Sequence, residues 1–163
     1  MAAKLISNCI IGVFLYASQA SAASKITAEQ VRQVIEATDV AAQQHDTQAI
    51  GGYLGRNFFK YIDATVEEKA ATVRIDRERY LQLIEQGWSE VHNYAYQRKD
   101  LVINVTPDGS AAESFSTVVE TFTADGKNMV SKVREYATYE LEDGRTVIVN
   151  IDSQPLVGDT TPQ

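Results

Sequence analysis

Cysteine, tryptophan, histidine and proline are all scarce: the 163 residues hold one Cys, one Trp, two His and three Pro. The lone cysteine, Cys9, lies in the first 22 residues, which read as a leader, so the remainder has neither a disulfide nor thiol chemistry. His45 and His92 lack His-x-His or cysteine spacing, so no metal site is expected and both suit surface or helix-end roles. Basic residues are outnumbered, 15 Lys and Arg against 22 Asp and Glu, which argues against nucleic acid and anionic lipid surfaces as partners. Gly51-Gly52-x-x-Gly55 lacks the Lys-Ser/Thr of a phosphate loop and reads as helix-breaking chemistry, so no nucleotide cofactor is implied. No Ser-His-Asp arrangement is evident either. The sequon Asn104-Val105-Thr106 is of a kind that arises often by chance.

What is present begins with the leader. Lys4 gives a positive n-region, residues 5–17 a mostly apolar stretch, and Ala20-Ser21-Ala22 a small-x-small cleavage signal. The run is too short for a bilayer span and no stop-transfer segment follows, so no stable membrane insertion is expected after cleavage. Cleavage after Ala22 sends a soluble product to the periplasm or the medium. A buried N-terminal helix is one alternative. Lipidation of Cys9 is another, opposed by Asn8 where a small residue is expected. Loss of the leader removes one charge, Lys4, and takes the formal net charge from −7 to −8, a balance that favours solubility. The expected organisation is a leader over 1–22, one domain over 23–153 and a disordered tail over 154–163.

The domain opens on the best-punctuated helix in the chain. Thr27 with Gln30 forms a capping box, and Val31, Val34, Ile35, Thr38 and Ala42 recur at helical spacing. Asp46 caps a short second helix over about 47–54, residues 57–62 and 71–75 are strand-like, and Asp76 caps a third helix ending near Gly87. From residue 91 the chain turns rich in β-branched and aromatic residues, interrupted at Pro107-Asp108-Gly109, Asp125-Gly126 and Asp143-Gly144. Three such turns make a four-stranded antiparallel meander.

Turn geometry then predicts faces. Ser116 faces Glu135, Val118 faces Val133, Tyr96 faces Glu120, Asp100 faces Ser116, and Ala137 faces Asn150, which sets Glu135 opposite Asp152. One face carries Tyr94, Tyr96, Arg98, Asp100, Ser116, Val118, Glu120, Val133, Glu135, Tyr139, Ile148, Asn150 and Asp152. The other carries Leu101, Phe115, Thr117, Val119, Lys132, Arg134, Tyr136, Val149 and Ile151, and a bulge in any strand would exchange the faces beyond it.

The order of long capped helix, short helix, strand pair, third helix and curved meander resembles the nuclear transport factor 2-like superfamily, which includes SnoaL-like proteins and ketosteroid isomerase. The likeness covers about 26–153 and rests locally on Asp46 and on Glu135-Tyr136 through Asp143-Gly144-Arg145-Thr146-Val147-Ile148-Val149 to Asp152-Ser153. Thr146 stands near the Trp usual in that final strand, and Asp152 near the usual His. The resemblance implies an α+β fold, a cone-shaped barrel with N-terminal helices packed on a curved, mostly antiparallel sheet. It also implies a pocket between the first helix and the concave face, and commonly a homodimer through the opposite face. It does not fix an activity, because the superfamily holds enzymes, binding proteins and docking modules.

Carboxylates beside tyrosines on one face suit acid/base chemistry if the walls are apolar, making Glu135, Asp152 and Glu120 the candidate catalytic residues. Tyr94, Tyr96, Tyr139, Asn150 and Asp152 are the candidate ligand-binding residues. The competing reading is a solvated face with cross-strand ion pairs among Arg98, Asp100 and Glu135. The particular Asp base and Tyr/Asp oxyanion pair of ketosteroid isomerase find no counterpart here, so that activity is not carried over. Trp88, Phe58, Phe59, Tyr80 and Phe115 are expected in the core rather than as a ligand platform. Three functions stay open: binding of a small, partly apolar molecule or a protein partner, cofactor-free isomerase, dehydratase or hydrolase-like catalysis, and assembly in an envelope complex.

Overall fold

A computed structural model describes residues 24–66 and 69–156. The leader expected over 1–22 lies outside them, as does the tail beyond 156. Three helices, α1 (Ala28–Gln43), α2 (Thr47–Tyr53) and α3 (Arg77–Ser89), pack on six strands. These are β1 (Leu54–Val66), β2 (Lys69–Asp76), β3 (His92–Val105), β4 (Ala112–Ala124), β5 (Lys127–Glu142) and β6 (Arg145–Pro155). The sheet order is β2-β1-β6-β5-β4-β3, antiparallel throughout except where β1 runs parallel to β6.

Each helix starts where a side chain can satisfy an orphan backbone N–H. Thr27 Oγ1 accepts from the Gln30 N–H while the Gln30 side chain accepts from the Thr27 N–H. Asp46 and Asp76 cap α2 and α3 in the same way. Helix α1 buries Val31, Val34, Ile35, Ala41 and Ala42. Ile26 enters the same core, and its N–H donates to the Gly109 carbonyl at 2.8 Å, which ties the start of α1 to the β3–β4 turn. Helices α2 and α3 meet at Gly51, where an added Cβ would stand 3.2 Å from Leu81 Cδ1. Two of the expected hairpins close on Asp125-Gly126 and Asp143-Gly144, whose φ values of 50° and 72°, and 52° and 74°, are those of a tight turn with both central residues left-handed.

Of the four register shifts among the paired strands, two alter the expected faces. Lys99 pairs with Thr117 but Val102 with Phe115, so Asp100 and Leu101 share one partner position. Asp100 takes φ 53° there and stays exposed, while Leu101, Ile103 and Val105 turn inward onto the core. Leu101, expected on the outer face, is therefore on the inner one, and Asp100 does not join the inner set. The second bulge lies in β6: Thr138 pairs with Asn150 and Tyr139 with Ile148, leaving Val149 unpaired. Its consequence is that Ala137 faces Ile151 and Glu135 faces Ser153, rather than Asn150 and Asp152. Strand β6 also continues through Gln154 to Pro155, and the Leu156 N–H donates to the Lys132 carbonyl. Phe115, expected in the core, is 40% exposed and lies against Tyr136 on the outer face.

Because α1 docks through its buried stripe, Ile35→Ala should cost about 2–5 kcal/mol. Arg32→Ala, on the exposed side of the helix, should change stability by no more than about 0.5 kcal/mol. Urea unfolding of the two variants measures the difference.

Candidate functional site

Helices α1 and α3, Ile50 of α2, Ile75 of β2 and the inner faces of β1, β3, β4, β5 and β6 line a cavity of about 440 Å³. Most of its wall is apolar: Ile35, Ile62, Leu83, Ile84, Val118 and Phe122 are among the lining residues. Into this wall the sheet delivers an ion cluster. Strand pairing forms the row Ile62–Ser153–Glu135–Ser116 across β1, β6, β5 and β4, with Lys60 two residues from Ile62 on the same face.

Arg98 is the centre of the cluster. Its Nε and Nη2 donate to the Asp39 carboxylate on α1 at 2.9–3.1 Å, and Nη2 also donates to the Tyr96 hydroxyl at 2.7 Å. Its Nη1 donates to Ser116 Oγ at 2.6 Å and to Glu135 Oε1 at 2.7 Å. All five guanidinium N–H groups are thereby used. Lys60 Nζ donates to Ser153 Oγ at 2.8 Å, lies 3.8 Å from Glu135 Oε2 and stands 5.3 Å from the centre of the Tyr80 ring. The Arg98, Lys60 and Glu135 side chains are only 11%, 12% and 13% exposed.

Burial alone would push the Glu135 carboxyl up, but the charges of Arg98 and Lys60 and the Arg98 hydrogen bond outweigh it and hold Glu135 below the usual carboxylate range. Lys60 is lowered from the ordinary lysine value, chiefly by burial and against the pull of Glu135 and Glu120. Arg98 is raised: burial opposes its charge, and Glu135, Tyr96 and Asp39 more than offset that. Tyr94 donates to Glu120 Oε1 at 2.6 Å. Burial first, and neighbouring carboxylates second, push the Tyr80, Tyr94 and Tyr96 hydroxyls up, so all three are neutral hydrogen-bonding groups at physiological pH.

Of the residues singled out in the sequence, Tyr94, Tyr96, Glu120, Glu135 and Tyr139 line this cavity. Tyr139 is 2% exposed and hydrogen-bonded to Ser114 at 2.9 Å, with its hydroxyl pushed up to about 12 mainly by burial. Asn150 and Asp152 are not part of the lining, because the β6 bulge turns them away; Asp152 pairs with Tyr136 rather than with Glu135. The close Glu135–Asp152 carboxylate pair expected from a regular hairpin is therefore absent, and Glu135 meets cations instead. His45 lies at the end of α1 with φ 55°, stacked on Trp88 with ring centres 4.9 Å apart. Asp39, Lys60, Tyr80 and Ser153 were not readable as site residues from spacing alone. The signal for Asp39 and Lys60 is a charge on an apolar face: Asp39 follows Ile35 by one helical turn, and Lys60 alternates with Phe58 and Ile62.

No protein-family profile and no curated protein matches the sequence. Solved structures do match in shape. A hexachlorocyclohexane dehydrochlorinase, LinA-type3 from Novosphingobium barchaimii, superposes with a TM-score of 0.65 at 12% identity, covering 83% of this chain and 88% of that one. A nuclear transport factor 2-like protein from Cytophaga hutchinsonii does so with a TM-score of 0.61 at 12% identity, covering 78% and 97%. This chain has the nuclear transport factor 2-like fold. An epoxide hydrolase of the LEH-like type from M. tuberculosis shares it at a TM-score of 0.54 and 17% identity, covering 81% and 86%. These identities speak for the fold and leave the activity to the site itself. Among the described residues no helix is long and apolar enough to cross a membrane, and no cluster of His, Cys, Asp and Glu is placed to hold a metal ion.

The ionised state of Glu135 makes a stability prediction. Its folded-state pKa lies below the ordinary 4.5, so its contribution is full above that value and is lost as pH falls below it. Glu135→Gln should lower stability at neutral pH and flatten the decline on the acid side. Denaturant midpoints measured from pH 7 downward check both effects.

Proposed function

We propose that this protein is an exported binding protein whose cone holds a small, largely apolar molecule carrying one oxygen function. The observation that carries this reading is the 440 Å³ cavity, mostly apolar in its wall, with Lys60 and Tyr80 at its lining. Its size suits a small ligand, and its few polar groups converge rather than scatter. Arg98 has no donor left for a ligand, whereas Lys60 has three N–H groups and, among the described residues, a hydrogen bond only to Ser153 besides its ion pair with Glu135. The Tyr80 hydroxyl makes no hydrogen bond among the described residues, and the centre of its ring stands 5.3 Å from Lys60 Nζ in the same lining. These two groups suit a ligand's hydroxyl, carbonyl or carboxyl oxygen.

A second reading, a cofactor-free enzyme working through carboxylate and tyrosine, draws on the short Tyr94–Glu120 contact and on fold neighbours named as a dehydrochlorinase and an epoxide hydrolase. Binding is favoured over it because Asp39 and Glu135 are both engaged with Arg98 and are held as charge partners rather than as free bases.

Calorimetry with octanol tests the binding reading. Octanol should bind with a negative heat-capacity change, the mark of apolar burial. Ala137→Phe, which adds a ring at a lining position, should weaken binding by about tenfold or more while leaving the fold intact by circular dichroism. Absence of octanol binding overturns the reading. Export predicts that the protein recovered outside the cytoplasm begins at Ala23, which intact mass determines; a product beginning at Met1 contradicts it.

A further inference from the structure

Lys60 is the one cation in the cluster that is not fully committed. Arg98 spends every donor, but Lys60 Nζ makes one hydrogen bond, to Ser153, and one long ion pair, to Glu135 Oε2 at 3.8 Å. Its side chain keeps 12% exposure and lines the cavity, so the amine is both sheltered and reachable from within. Packed around it are Tyr80, whose ring centre is 5.3 Å from Nζ, and a carboxylate that has a second cation of its own. Glu135 therefore stays paired if the lysine's charge is lost or altered. A primary amine, an adjacent carboxylate and a neutral tyrosine in a largely apolar chamber have the makings of carbonyl chemistry.

We propose that Lys60 captures an apolar aldehyde or ketone as a covalent imine within the cone. This rests on the binding reading above and narrows its ligand to a carbonyl compound. The ammonium releases one proton, the resulting amine attacks the carbonyl carbon, and the C–N bond forms as the C=O π bond breaks, with the released proton taken up by the carbonyl oxygen to give a hydroxyl. A second Nζ proton then moves to that hydroxyl, with Tyr80 in the same lining and Glu135 staying ionised as the counter-charge. The C–O bond breaks, water leaves, and a protonated imine remains beside Glu135. Overall an ammonium and a carbonyl give an iminium and one water, so no oxidant, reductant or net proton is needed. The positive charge is conserved, and the Glu135 counter-charge suits the product as well as the starting lysine. Burial supports the attack independently, because it lowers the lysine from its ordinary value and raises the share of neutral amine. The apolar wall further favours dehydration of the adduct by limiting access of bulk water.

Trapping decides the matter. The purified protein is incubated with octanal and cyanoborohydride at neutral pH, and peptides are mapped by mass spectrometry. Octyl modification should be about tenfold or more higher at Lys60 than at the exposed Lys127. Lys60→Arg keeps the charge but removes the nucleophile, so it should lose the trapped adduct while circular dichroism shows the fold intact. Equal modification of Lys60 and Lys127, or an undiminished cavity adduct in Lys60→Arg, overturns the proposal. Octanol binding without an octanal adduct overturns covalent capture and leaves the binding reading standing. Failure of both octanol binding and octanal trapping overturns the two together.

Discussion

Five hydrogen-bond donors on one guanidinium hold the functional end of this molecule in place. Arg98 reaches from β3 to Asp39 on α1, to Ser116 on β4 and to Glu135 on β5, and so joins the first helix to three strands at once. Such a group is costly to bury, and its retention requires that every N–H find a partner. Asp39 and Glu135 supply two carboxylates for one guanidinium, and Lys60 supplies the cation that the second carboxylate needs. Removing one member of such a set typically costs about 3–5 kcal/mol, because a buried charge is left uncompensated. The helix is thus fixed over the sheet by charge near the cavity and by Val31, Val34 and Ile35 along the rest of its length.

That arrangement keeps a chamber open beside a well-packed core. Ile26, Val31, Phe58, Ala112 and Tyr139 close one end of the cone, and Ser114 satisfies the buried Tyr139 hydroxyl. The lining of the chamber also includes Trp88, Tyr94 and Phe122. His45 and Tyr94 flank Trp88 there, one stacked and the other edge-on. The outer face of the sheet bears Phe115 and Tyr136 together with charged residues, and it takes no part in the cavity. Polarity inside is concentrated on Lys60, Tyr80, Glu120 and the Arg98 cluster, so a ligand would meet apolar surface over most of its area.

Local chemistry was legible in the sequence wherever a residue acts on its own neighbours. Thr27 with Gln30, Asp46 and Asp76 announced three helix starts, and Asp125-Gly126 and Asp143-Gly144 announced two hairpins. Facing pairs near those turns follow directly: Ser116 meets Glu135 and Val118 meets Val133. Parity changes at each bulge, because one extra residue reverses the side chains on one side of it relative to the other. Asp100 is the sort of residue that tolerates a left-handed backbone, and its φ of 53° explains why Leu101 turns inward. Nothing comparable marks Val149, which is why Asn150 and Asp152 looked like cavity residues and are not. Asp39 and Lys60 were missed for another reason: their partners lie on strands far away in sequence, and only tertiary pairing shows that the charges meet.

The central claim is that Lys60 and Glu135 form a desolvated pair in an apolar chamber. Site-resolved NMR titration of the Lys60 amine and the Glu135 carboxyl in the full-length folded protein tests it most directly. Both groups should titrate below their ordinary values of 10.5 and 4.5, the lysine because burial disfavours its charge and the glutamate because Arg98 and Lys60 favour its own. Two ordinary titrations would place both side chains in bulk water and contradict the account.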